Sequence, residues 1–79
     1  MTKYEVLAIF AEAGDFLIPD DVRIRLEPMP DRRSIYSYLG RLARQSLLER
    51  GRTGLGGMVA YRLTDRGRAR LEYFQRKVP

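Results

Sequence analysis

The sequence predicts a mostly helical α+β fold, with the order helix, short strand, helix, helix, β-hairpin, helix, in a single domain over residues 1–79. Three observations predict it. Apolar residues recur at helical spacing in three separate stretches. Two six-residue runs, 47–52 and 58–63, flank a tip with three glycines in five residues, Thr53-Gly54-Leu55-Gly56-Gly57. Prolines at 28 and 30 separate the second and third helices, because each disfavours helix at the residue before it.

The first helix spans about Thr2 to Ala13, with Thr2 and Glu5 at capping-box spacing and Gly14-Asp15 as its stop. Val6, Ile9, Phe10 and Ala13 recur along one side, with Leu7 beside them. Phe16-Leu17-Ile18 is too short for a helix and suits one short strand or an extended link against the core. Pro19 fits the first position of a second helix running to about Leu26 and burying Val22 and Leu26. Asp20 and Asp21 suit the positive end of that helix better than a metal site, since no further acid or histidine clusters with them. After the hairpin, Thr64 caps a last helix from Asp65 to about Lys77. It carries Leu71, Phe74 and Val78 on one stripe, with Gly67 in its first turn as a point of close packing.

The third helix, from the cap at Asp31 to about Ser46, has the sharpest division of faces. At about 100° per residue, Ile35, Tyr38, Leu39 and Leu42 share one side, with Ala43 at its edge. Arg33, Ser37, Gly40 and Arg44 cluster opposite, flanked by Tyr36 and Arg41. A solvated helix face ordinarily mixes acids and bases, because opposite charges at i,i+4 stabilise it. Between Arg32 and Gln45 there is no acid. Such a face points to a polyanionic partner.

The charge distribution agrees. Residues 1–31 hold three bases and seven acids; residues 32–79 hold twelve bases and three acids, which gives a net charge of +5. A small domain with its positive charge confined to one segment suits a nucleic acid or another anionic surface. Thirteen of the fifteen bases are arginine, a choice that fits bidentate contacts to phosphate or guanine. Without cysteine or histidine there is no disulfide framework and none of the usual zinc or haem ligands. The serines have no general base beside them and no carboxylate pair stands out, so enzymatic activity and a bound cofactor are not expected. The glycine-rich tip lacks the lysine–serine pair and following helix of a nucleotide P-loop and reads as a mobile hairpin end. No run approaches the roughly 18 to 20 apolar residues of a membrane span, and Met-Thr-Lys-Tyr-Glu does not begin like a signal peptide, so a cytoplasmic location is expected.

Three stretches stand in this order along the chain: Ser34-Ile35-Tyr36-Ser37-Tyr38-Leu39-Gly40-Arg41-Leu42, Leu47-Leu48-Glu49-Arg50, and Tyr61-Arg62-Leu63-Thr64-Asp65-Arg66-Gly67. In these the chain resembles a winged helix-turn-helix domain of the PadR-like and MarR-like regulator type. The likeness implies a three-helix core with a short strand, a β-hairpin wing at 47–63 and a C-terminal helix. Two features depart from the pattern. Ser46 stands where a glycine is usual, and the Pro28–Pro30 connector is longer than a tight helix-turn-helix turn.

The resemblance implies sequence-specific binding to double-stranded DNA, with the third helix in the major groove, as in a transcriptional regulator. Arg32, Arg33, Ser34, Tyr36 and Ser37 would then meet bases or backbone, Arg41 and Arg44 flanking phosphates, and Arg52 and Thr53 the adjacent groove or backbone. A homodimer reading two half-sites is expected, with Tyr4, Leu7, Leu71, Phe74 and Val78 as its contact residues. The alternative is a winged-helix protein-interaction module inside a larger assembly.

Overall fold

In a computed structural model of the chain, which describes residues 1–54 and 56–77, four helices and an antiparallel hairpin follow one another as α1 (Lys3–Ala13), α2 (Pro19–Arg23), α3 (Arg32–Arg44), β1 (Leu48–Thr53), β2 (Met58–Leu63) and α4 (Asp65–Lys77). The fold is thus α+β and mostly helical. Among the described residues no helix is long and apolar enough to cross a membrane. Val78 and the tip residue Leu55 lie outside the described residues.

Local chemistry sets the helix ends. Thr2 and Glu5 form a complete capping box at the start of α1, and Gly14 closes it at φ 68° with its N–H donating to Phe10 O at 3.0 Å. The buried side of α1 is Val6, Leu7 and Phe10, while Ile9 is half-buried and Ala13 exposed, so the core face is rotated from the expected Ile9–Ala13 side. Phe16–Ile18 contributes a single bridge, Leu17 to Tyr61, with reciprocal N–H···O bonds of 2.8 and 2.9 Å. α2 ends at Arg23, not at Leu26. Its last carbonyls are taken by tighter i→i+3 bonds from Arg25 and Leu26, and Glu27 precedes a proline, which disfavours another helical turn. Val22 and Leu26 are buried, but Ile24 is 66% exposed.

The exit from α3 is a Schellman turn. Ser46 N–H donates to Ala43 O at 2.9 Å and Leu47 N–H to Leu42 O at 3.0 Å, with Ser46 at φ 63°. Serine therefore occupies the left-handed position that glycine ordinarily fills, and helix α3 stops at Arg44 instead of reaching Ser46.

The same turn anchors α4. Thr64 N–H donates to Leu47 O at 3.1 Å, and the Thr64 hydroxyl accepts from Gly67 N–H at 2.9 Å. Its single proton faces the Ser46 and Leu47 carbonyls, at 2.6 and 3.0 Å. Gly67 is required here: a Cβ would fall 2.1 Å from Leu47 O and 2.8 Å from Leu63 Cδ1.

In the hairpin, Leu48 pairs with Leu63, Arg50 with Tyr61 and Arg52 with Val59. Alternation puts Leu48, Tyr61 and Leu63 on the core face. The reverse face carries Gly51, Ala60 and Arg62, and Phe16 covers it; a Cβ on Gly51 would meet the Phe16 ring at 2.7 Å. Arg62 lies over that ring at 4.6 Å and pairs with Glu49 across the strands.

One core cluster joins every helix and the hairpin, through Val6, Leu7, Phe10, Val22, Leu26, Ile35, Leu39, Leu42, Leu47, Leu48, Tyr61 and Leu71. Leu7 (0% exposed) and Leu71 (4%) are thus part of the chain's own core, which removes them from the expected dimer contact. Physically, a small domain needs these side chains to exclude water from its interior. Tyr4 keeps 39% of its surface and Phe74 is half-buried.

Candidate nucleic-acid interface

Helix α3 is held by its inner side and bare on its outer side. Ile35, Leu39 and Leu42 are fully buried, each contributing about 2 kcal/mol of apolar burial. Tyr38 is half-buried at the edge, where burial pushes its hydroxyl pKa up and the nearby Arg41 guanidinium pulls it partly back. Asp31 caps the helix, accepting the Ser34 N–H at 2.7 Å. Hydrogen bonding from Ser34, hydroxyl and backbone together, holds the Asp31 carboxyl below the usual carboxylate range, with smaller help from Arg23 and Arg33.

On the outer side Arg33, Ser37, Gly40 and Arg44 follow at intervals of four, three and four residues, a straight stripe about 16 Å long at 1.5 Å per residue. Arg33, Ser37 and Arg44 are exposed, as are the flanking Tyr36 and Arg41. Among the described residues no side-chain hydrogen bond or ion pair engages Arg33, Arg41 or Arg44. Arg41 instead lies 6.0 Å from the Tyr38 ring centroid. A Cβ on Gly40 would meet nothing but Arg44 Nη1, at 3.9 Å, so no packing within the chain demands glycine there.

The first turn of α3 holds two arginines and no acid. Cations at the positive end of a helix dipole are unfavourable by about 0.3–1 kcal/mol each. Arg32 is compensated: its Nε sits 3.3 Å from a carboxylate oxygen of Asp20 on α2, too poorly aligned to hydrogen-bond. Arg33 has no ion pair among the described residues, though its charge helps to hold the Asp31 carboxyl ionised. It thus opposes the dipole of its own helix with no such pair to offset it.

The structure sorts the sequence-predicted residues into groups. Arg33, Ser37, Arg41, Arg44 and Tyr36 share the exposed side of α3. Arg32 is turned to α2, and Ser34 has its N–H committed to the cap. Arg52 and Thr53 fall on opposite faces of β1 by strand alternation, and Arg52 Nη1 donates to Gly57 O at 2.9 Å, closing the hairpin tip. Arg50, which the sequence reading passed over, is exposed and lies on the Arg52 face. The two-residue spacing of Arg50 and Arg52 in a strand is the signal that finds it.

Comparison with protein-family models, curated proteins and solved structures finds no match.

The donors on this face suit phosphate oxygens and base edges. Guanidinium groups offer paired donors to phosphate oxygens or to guanine, and the tyrosine and serine hydroxyls add shorter polar contacts. Arg23 takes no part in it, because its Nε donates to Pro30 O at 2.8 Å and fixes the connector that leads into α3.

Proposed function

We propose that the protein binds double-stranded DNA sequence-specifically, as a winged helix-turn-helix regulator, with α2 and α3 as the helix-turn-helix and residues 47–63 as the wing. The observation that carries this reading is the acid-free stripe Arg33–Ser37–Gly40–Arg44, whose three side chains are exposed and in no ion pair among the described residues. A major groove about 12 Å wide admits an α-helix, and a stripe about 16 Å long spans it. In this reading Arg33, Ser37 and Tyr36 meet bases or backbone, Arg41 and Arg44 hold flanking phosphates, and Arg50 and Arg52 reach the neighbouring backbone. A homodimer would offer two such helices to two half-sites, with Tyr4 and Phe74 as the remaining candidate contacts; equilibrium sedimentation measures that state.

The test is binding of wild type and the Arg33→Ala, Arg44→Ala double variant to duplex DNA selected from a random pool, at several salt concentrations. Wild type should bind more weakly as salt rises, and the variant should lose about 1–3 kcal/mol for each arginine that reads a base. Wild type showing no salt-dependent binding to any duplex would end the proposal.

A further inference from the structure

Helix α4 carries a second basic stripe with the same spacing as the one on α3. Arg66, Arg70, Tyr73 and Lys77 follow at four, three and four residues and so share one side of the helix. The acids of α4, Asp65 and Glu72, lie on other sides by the same rotation of about 100° per residue. Arg66, Arg70 and Tyr73 are exposed, and with Ala69 they line an open cleft of about 280 Å³. Among the described residues no side-chain hydrogen bond or ion pair involves Arg66 or Arg70. The Lys77 ammonium sits 5.4 Å from the Tyr73 ring centroid, and Phe74 packs edge-on against that ring at 6.0 Å, so the aromatic is held beside the cations.

We propose that this α4 stripe is a second, sequence-independent contact surface for the phosphate backbone of DNA. Charge complementarity carries the choice of partner: two unpaired guanidinium groups one helical turn apart, with an ammonium two turns further on, match a row of phosphates. An anionic membrane fits less well, because among the described residues the exposed stripe offers a single tyrosine and no aliphatic side chain larger than Ala69 to enter the acyl region. The surface is distinct from that of α3. Helix α4 packs on α1 and β2, whereas α3 packs on α2 and β1. The inference takes from the α3 reading only the identity of the polyanion.

The experiment measures the salt dependence of binding to duplex DNA for wild type, Arg66→Ala/Arg70→Ala, Arg66→Lys/Arg70→Lys and Arg33→Ala/Arg44→Ala, with folding checked by thermal melting and oligomeric state by sedimentation. The α4 alanine variant should lower the slope of log K against log salt by about 1.8, at ~0.9 per phosphate contact, while the lysine variant keeps it. An unchanged slope in the α4 alanine variant overturns the proposal, as does a slope lost together with a change of oligomeric state. Binding to vesicles containing phosphatidylglycerol that depends on Arg66 and Arg70, with no such dependence on DNA, also overturns it. Failure of the α3 reading is recognised separately, by an α3 variant that binds like wild type while the α4 variant does not.

Discussion

Alanine at position 40 and alanine at position 67 should move stability in opposite directions. Both replace a glycine inside a helix, and in an unobstructed helix interior that exchange stabilises by about 1 kcal/mol, chiefly by limiting the unfolded chain. At Gly40 the added methyl finds only Arg44 Nη1, at 3.9 Å, an ordinary contact with the end of a flexible side chain. The full gain should appear, raising the melting temperature by about 4–8 °C for a domain of this size. At Gly67 the methyl would lie 2.1 Å from the Leu47 carbonyl oxygen and 3.0 Å from Leu47 C, both backbone atoms. Helix α4 must then move away from the turn that follows α3, stretching the Thr64 bonds to that turn. Overpacking of this kind costs about 1–3 kcal/mol and outweighs the helix-propensity gain. Thermal and urea unfolding, read by circular dichroism, measure both. A less stable Gly40→Ala, or a more stable Gly67→Ala, refutes the packing argument. The same Gly40→Ala protein tests function: if DNA approaches the α3 backbone closely, the stabilised variant should bind about 1–3 kcal/mol more weakly. Unchanged affinity would show that no partner comes within a methyl of Gly40.

Further outcomes follow from other parts of the fold. Ser46→Gly should stabilise by about 0.5–1 kcal/mol, because relief of the left-handed strain exceeds the extra freedom glycine gains when unfolded; urea titration measures it. Asp31 has a folded pKa below its unfolded value, so its contribution to stability is present above about pH 4 and is lost as pH falls through the folded pKa. Asp31→Asn keeps a capping oxygen without a titrating group, so its stability should fall less steeply than wild type as the pH drops below about 4. Leu39→Ala should cost about 2–5 kcal/mol, enough to unfold much of a marginal domain, since Leu39 is fully buried where α3 meets the core.

Much of the candidate interface was legible in the residues from 31 to 46. The Asp31 cap, the buried Ile35–Leu39–Leu42 side and the bare Arg33–Arg44 side follow from one period and one helix start. The hairpin was legible for a similar reason, with Gly54 and Gly57 both at positive φ in its tip. The roles of Arg32, Arg52 and Arg62 were not legible. Each is answered by a residue that the sequence gives no reason to place nearby: Asp20 from α2, Gly57 across the tip, and the Phe16 ring from the link before α2. The end of α2 at Arg23 was not legible either, because the i→i+3 bonds from Arg25 and Leu26 that replace the helical pattern leave no mark in the spacing of apolar residues.

By itself the sequence determined which stretches are helical, where those helices begin, which segment pairs as a hairpin, and that one helix shows an acid-free side. These are local matters of period, capping and turn chemistry, and they need no knowledge of what lies alongside. Only the tertiary structure decided that Leu7 and Leu71 close the core of one chain, that Gly67 is obligatory while Gly40 is not, and which arginines stay unpaired. An apolar stripe shows that a side chain must be covered but not by what, and a charge finds its partner only when distant segments are brought within a few ångströms.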